Sequence, residues 1–301
     1  MNSLQDPIIS LFCIVDDFCL EFEPEWRKRL IGKMTRNRNS VMSLSEIMTI
    51  VINFHNSGYR TFKKYYKIFV TGYLKHLFPK LLGYGRFVEL MKSCVFPMFC
   101  FLQGILGEAT GISVVDSTPL PVCHNRRIPS HKVFKNLAKR GKSSTGWFYG
   151  FKLHIVINDI GELLSWCFTP GNTDDRKPVK SMCEGLQGLL FGDKGYISSK
   201  LFKELYEYGL KLITKIKSNM KNILIDLKEK FLLKKRGIVE CAIQYFKETA
   251  QIQHTRHRSS SNYMVNLMAG LAAYCLFAPK ASMGLNPQEK QLILNELEHM
   301  A

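Results

Sequence analysis

A chain of 301 residues suits one large domain or two of ordinary size, and 46% apolar with 22% charged residues excludes a disordered or fibrous protein. Its 42 Lys and Arg against 25 Asp and Glu leave a net charge of +17, which favours an anionic partner, either nucleic acid or an acidic membrane. Nine cysteines without a single C-x-x-C pair give neither a zinc ribbon nor a disulfide framework, the usage of a reducing cytoplasm.

The first residues lack the basic-then-apolar pattern of a signal peptide. Residues 1–108 read as a helical region. Ser43-Leu-Ser-Glu46 is a capping box, followed at helical spacing by Ile47, Ile50, Val51 and Phe54. Asn56-Ser-Gly58 ends that helix, and Phe62, Tyr65, Tyr66, Phe69 and Val70 mark a second, with Lys63, Lys64 and Lys67 interleaved. Such a pair is either a DNA-binding helix-turn-helix or an ordinary antiparallel packing of helices. The apolar stretches 94–106, broken by Pro97, and 263–278 are shorter than the roughly 20 residues of a membrane span and read as buried helices, so no membrane is expected.

Residues 109–280 have a different texture. Ile112-Ser-Val-Val-Asp116 is a short strand ending at an acid. From His124 to Lys152 the chain holds eight Lys or Arg and no acid, and the run 126–142 reads as a basic surface loop. Trp147, Tyr149, Phe151, Leu153, Ile155 and Ile157 alternate as a long strand, its aromatics read as core rather than as base-stacking residues. After the Asn158–Gly161 turn come a strand at 163–169, a helix at 175–185 and a strand at 189–192 ending at Asp193. A helix at 198–208, a strand at 211–216, a helix at 237–249 and a buried helix at 266–277 follow. Residues 281–301 read as a tail. Three consecutive strands form an antiparallel meander, and strands joined by helices run parallel. The expectation is a mixed five-stranded sheet flanked by helices, the strand order of the ribonuclease-H-like fold.

Asp116 and Asp193 then end neighbouring strands, and Glu240 sits on the helix after the fifth. Three converging carboxylates would hold two hard divalent cations, the arrangement phosphodiester chemistry requires. Each acid also has a plain reading: a turn initiator, a loop acid beside Lys194, a solvated helix residue. Arg236 and Lys247 share the helix face of Glu240 by spacing, which suits phosphate contacts or a salt-bridged surface. Arg126, Arg127, Arg140 and Lys142 of the basic run are candidate phosphate contacts, as are Lys152, Arg176, Lys194, Arg256 and Arg258. His154 lies on the polar side of its strand and is a further candidate DNA contact. Asp174, Asp175 and Arg176 precede Pro178 at a helix start, where capping is the plain role.

Longer stretches carry a resemblance. Val115-Asp-Ser-Thr-Pro-Leu120, Gly146-Trp-Phe-Tyr-Gly-Phe-Lys-Leu-His154, Gly171-Asn-Thr-Asp-Asp-Arg176, Gly192-Asp-Lys-Gly-Tyr-Ile-Ser198 and His254-Thr-Arg-His-Arg-Ser259 resemble the bacterial insertion-sequence DDE transposases, most closely the insertion-sequence family numbered 982. The resemblance implies that Asp116, Asp193 and Glu240 bind metal, Mg²⁺ with Mn²⁺ as a substitute, two ions per site. It implies strand cleavage and strand transfer at terminal inverted repeats, with target DNA as second substrate. A homodimer at the paired ends and a cytoplasmic, nucleoid-associated location follow from it. Arg236, Glu240 and Lys247 match the Arg-x3-Glu-x6-Lys spacing of the wider group, while Leu233 stands where Tyr is frequent. Gln244-Tyr-Phe-Lys247 replaces the usual Asp-Gln-Leu-Lys. The alternatives are a DNA-binding copy that no longer cuts, or a nuclease of the same fold without strand transfer.

Overall fold

The computed structural model describes residues 6–29, 40–215, 226–253 and 257–298. These form two compact units: the first holds residues up to Ile105 together with Tyr245–Ala278, the second Leu106–Gln244 together with the residues from Pro279 onward. The sequence reading had kept 109–280 together; contacts instead assign 245–278 to the helical unit.

The helical unit contains α1 (Asp6–Arg29), α2 (Leu44–Phe54), α3 (residues 62–73), α4 (Tyr84–Gly104) and α9 (Ser260–Phe277). The capping box of α2 forms as its sequence dictates: Ser43 Oγ accepts from Glu46 N at 3.0 Å, and Glu46 Oε2 accepts from Ser43 N at 2.7 Å. In α3 a π turn, Tyr65–Val70, buries Tyr65 and Tyr66 and leaves Lys63, Lys64 and Lys67 exposed. Asn53 Nδ2 donates to Tyr65 Oη at 2.8 Å, so α2 and α3 are joined by a buried polar contact as well as by aromatic packing. The α4 run is 21 residues, longer than its sequence suggested, because the 3₁₀ turn Met91–Cys94 places Pro97 in a new first turn that tolerates it. By length and composition it could cross a membrane, yet Phe87, Met91, Cys94, Met98, Phe101 and Leu102 are buried within the unit.

The second unit is built on one mixed sheet: β1 (Ile112–Cys123), β2 (Lys139–Ser143), β3 (Gly146–Asn158), β4 (Leu163–Pro170), β5 (Gly188–Gly192) and β6 (Leu210–Thr214). The order is β2-β3-β1-β5-β6, with β4 also on β3. β1, β3 and β4 pair antiparallel, whereas β5 runs parallel to β1 and β6 parallel to β5, so the expected ribonuclease-H-like arrangement is present. The strand β2 is an addition to the five expected. Its sequence Lys-Arg-Gly-Lys-Ser carries no apolar alternation, and it forms because β3 supplies a template beside Gly146–Gly150 that β4 leaves unpaired.

One sheet face packs Val115, Val156, Leu190 and Leu212 against α5 (Val179–Met182) and α6 (Ser199–Tyr206), whose Leu201 and Leu205 are buried there. The helix expected at 175–185 shortens to α5, since Pro178 sits at its N-cap and Gly185 has a positive φ. Toward the other face come α7 (Leu227–Lys235) and α8 (Ile238–Gln244), which approach β6 and β1. α7 and α10 (Pro287–Glu298) were not foreseen. The supposed tail is tied down: Met283 N donates to Asp159 O at 2.7 Å, and Lys290 Nζ reaches the Asp159 carboxylate at 3.0 and 3.1 Å.

Asp116 does not end its strand. β1 continues past it through Pro119 and Pro121, paired with Lys152 and Gly150 of β3. Its pairing with β5, however, stops at Val114. Beyond that point β1 is an edge strand, where proline is tolerated.

Candidate active site

Register places the first two acids. Val114 pairs with Phe191 as the last rung of the parallel β1–β5 ladder, and Asp116 and Asp193 each lie two residues beyond it. Two residues preserve the face of a strand. Asp193 itself leaves the strand and caps the 3₁₀ turn Lys194–Tyr196.

The third acid arrives on a bent helix pair. α7 is fastened to β6 by Lys211 Nζ and Glu229 Oε1 at 2.5 Å, and Lys235 Nζ donates to Met283 O at 2.5 Å. Arg236 closes α7, Gly237 separates the helices, and Glu240 occupies the first turn of α8. The sequence reading took 237–249 as one regular helix. Instead a π turn, Tyr245–Thr249, follows Gln244, so the α-helical pitch used to align Lys247 with Glu240 does not hold.

Arg236 is the hub. Its Nη2 lies 3.9 Å from Asp193 Oδ1 and 3.7 Å from Glu240 Oε1, with the arginine side chain 15% exposed and the acids 54% and 68% exposed. Asp116 accepts a hydrogen bond from Ser117 N at 2.7 Å. Burial pushes its carboxyl up to about 6; the Ser117 amide and Arg236 oppose this, and the negative charges of Asp193 and Glu240 add to it. The three acids therefore share one electrostatic neighbourhood. Among the described residues, no three His, Cys, Asp or Glu side chains stand close enough to hold a metal ion as placed. One buried donor nearby, Arg236 Nη1, lacks a hydrogen-bond partner, and the buried Tyr196 hydroxyl is held protonated by burial and then by Asp116.

A polar cleft of about 400 Å³ is lined by Lys142, Lys152, the loop 171–176 and Gly195, which follows Asp193 by two residues. Lys152 Nζ donates to Asp175 Oδ1 at 2.8 Å and to Thr173 O at 2.9 Å, so it braces the loop. Arg176 is bound through Nε to Asp174 Oδ1 at 2.9 Å and through Nη2 to Asp174 Oδ2 at 2.5 Å; this pair pulls the Asp174 carboxyl well below the usual range. His154 corrects its expected place on a polar strand face. It is 1% exposed, paired through Nε2 with Thr169 Oγ1 at 2.8 Å, and burial pushes its imidazole down to about 4. As placed it offers DNA no surface, because the Thr169 side chain and the Asp175 loop close around the ring on the face that alternation alone would leave open.

Arg126, Arg127, Arg140, Lys142, Lys194 and Arg258 are exposed. Lys247 is half-buried on its π turn in the helical unit, and Arg256 lies outside the described residues. The sequence missed the brace formed by Lys152 and Asp175, and Tyr196. The first had a signal, since an acid–acid–Arg loop facing a strand lysine is a ready ion-pair set. It also misplaced Trp147, which is exposed while Tyr149 and Phe151 are core.

A mixed sheet with carboxylates just past the end of the β1–β5 ladder defines a protein of the ribonuclease-H-like class. A family model described as a transposase DDE domain matches residues 106–260, just over half of the sequence, and the chain belongs to that family. The match begins where the second unit begins. No curated protein matches. One similar solved structure is the piggyBac transposase synaptic complex with hairpin DNA, 12% identical, covering 96% of this chain and 76% of that one with a TM-score of 0.47.

Proposed function

We propose that this protein is the transposase of an insertion sequence, as its resemblance to the family numbered 982 implies. It binds the terminal inverted repeats of its element, cleaves the ends in a metal-dependent reaction and transfers them to target DNA. The observation that carries the reading is the gathering of Asp116, Asp193 and Glu240 around Arg236, in a chain of the DDE family.

The residues fit a divalent metal. All three donors are carboxylate oxygens, the chemistry of hard cations such as Mg²⁺ and Mn²⁺. Asp116 resists ionisation chiefly because it is buried, with Asp193 and Glu240 adding a smaller push, so a cation placed there would favour its charged form. Asp193 and Glu240 are exposed enough to turn from Arg236 toward an ion. Two such ions would supply activation of the attacking hydroxyl and stabilisation of the leaving oxygen. Arg236, released from the two acids, would direct its partnerless Nη1 to a scissile-strand phosphate. Exposed Arg126, Arg127, Arg140, Lys142, Lys194 and Arg258 would hold flanking phosphates by charge. Handling both element ends together calls for a pair of protomers.

The test is a supercoiled donor plasmid carrying the element ends, incubated with the protein and Mg²⁺ or Mn²⁺. Cleavage at the ends that falls at least about a hundredfold in Asp193→Asn, with end binding kept, is the expected result. Undiminished cleavage by that variant would refute the assignment. Joining of the 3′-ends to target separates a transposase from a nuclease; end binding without any product marks a copy that no longer cuts.

A further inference from the structure

Trp147 departs from the rest of its strand. Phe148, Tyr149 and Phe151 are buried, whereas Trp147 is 57% exposed. Tyr149 is roofed by the preceding segment: its hydroxyl donates to Phe134 O at 3.2 Å, and His131 meets its ring edge-on at 6.0 Å. The roof stops before Trp147, but its backbone is held, since Asn125 Nδ2 donates to Trp147 O at 2.8 Å. The indole is displayed from a fixed strand.

Two cations share its side of the β2–β3 hairpin. Lys142 is the register partner of Trp147, and Arg140 lies two residues along β2. Their charged groups stand 5.9 and 5.8 Å from the indole centre. That is the outer edge of cation–π range, about 6 Å, so little is lost if they turn to other anions. Lys142 also lines the cleft together with Gly195, two residues after Asp193 in the chain. Along β3, Trp147 is eight residues from Ile155, the register partner of Asp116. At roughly 3.4 Å per residue this is no more than about 27 Å, inside one turn of duplex DNA, about 34 Å.

We propose that Trp147, flanked by Arg140 and Lys142, is a stacking platform for an unpaired DNA base near the acid cluster. The ring takes the face of the base, and the two cations take neighbouring phosphates. Inside a duplex each base face is already covered by its neighbours, so an indole of this kind selects a base that has left the stack. A single exposed tryptophan is unremarkable on a protein surface. This one combines a tethered backbone, two cations and a wall shared with the cleft. The inference rests on the DNA-processing reading and names the form of DNA held at this hairpin.

The test uses the full chain with two probes, a 12-nucleotide oligothymidylate and a blunt 12-base-pair duplex, in EDTA so that no cleavage intervenes. Oligothymidylate quenches the intrinsic tryptophan fluorescence of the wild type. In Trp147→Ala the quench disappears and affinity for the single strand falls at least about fivefold, while duplex affinity changes less than twofold. Trp147→Phe restores most of the single-strand affinity without the quench, which a merely structural role would not produce. Arg140→Ala and Lys142→Ala weaken both probes and flatten the salt dependence. Equal single-strand affinity in the wild type and Trp147→Ala, or equal losses on both probes, overturns the platform alone. Failure of the wild type to bind either probe overturns the DNA reading and the platform with it.

Discussion

Replacing Asp116 with Asn should stabilise the metal-free protein. In the fold the Asp116 carboxyl is shifted from its ordinary 3.8 to about 6, chiefly by burial. Two units at about 1.4 kcal/mol each make the charged form roughly 3 kcal/mol worse in the folded chain than in the unfolded one. The folded state binds this proton more tightly, so stability declines as pH rises from about 4 to about 6 and stays reduced above that. Asn removes the charge and keeps an oxygen for the Ser117 amide, so about 2 kcal/mol should be recovered at pH 7.5. For a unit of this size that corresponds to roughly 4–8 °C in melting temperature. Calorimetry in EDTA should show that gap at pH 7.5 and a gap less than half as large at pH 4.5. Millimolar Mg²⁺ should reverse the order, because wild type gains about 2.7 kcal/mol at a hundredfold excess over Kd while the variant loses a ligand. A variant that melts with the wild type at pH 7.5 in EDTA would refute the argument that burial penalises the charged Asp116 carboxylate.

Buried His154, its imidazole pushed down to about 4, gives stability that is complete above about 6.5 and is lost as pH falls toward 4; urea titrations across that window should show the decline, flattened in His154→Gln. Lys211→Met leaves Glu229 without its partner in a site where the two side chains are 23% and 15% exposed; urea unfolding should register a loss of about 1–3 kcal/mol, and end cleavage should fall because α7 carries Arg236. Gly141→Ala would set a Cβ 2.0 Å from the backbone oxygen of Gly171, which cannot swing aside as a side chain could, so about 1–3 kcal/mol should be lost, with faster proteolysis in the 124–146 segment. An unchanged melting curve for either variant would contradict the corresponding packing.

Much of the sheet could be read in advance because its code is local. Alternation along residues 147–157 marks β3, and short apolar runs closed by Gly192-Asp193 mark β5. The acids followed from strand order, and their shared neighbourhood follows from the β1–β5 register. What escaped depends on distant partners. Nothing within Lys139–Ser143 says strand; the unpaired half of β3 does. His154 reads as solvent-facing until Thr169 and the Asp175 loop close around it. Trp147 obeys the alternation of its neighbours and differs only in lying past the end of the 125–138 cover. The residues from Pro279 on look like a tail because their anchors, Asp159 and Lys235, are remote in sequence.

The prolines of β1 have a consequence for what can approach this edge. Because Pro119 and Pro121 face Lys152 and Gly150 without amide hydrogens to give, their nitrogens point outward, toward the side where β5 has already ended. Two of the donors that another polypeptide would need in order to zip onto this margin are missing. The chain thus guards the border beside Asp116 against self-association and leaves it free for a guest that recognises charge instead of backbone.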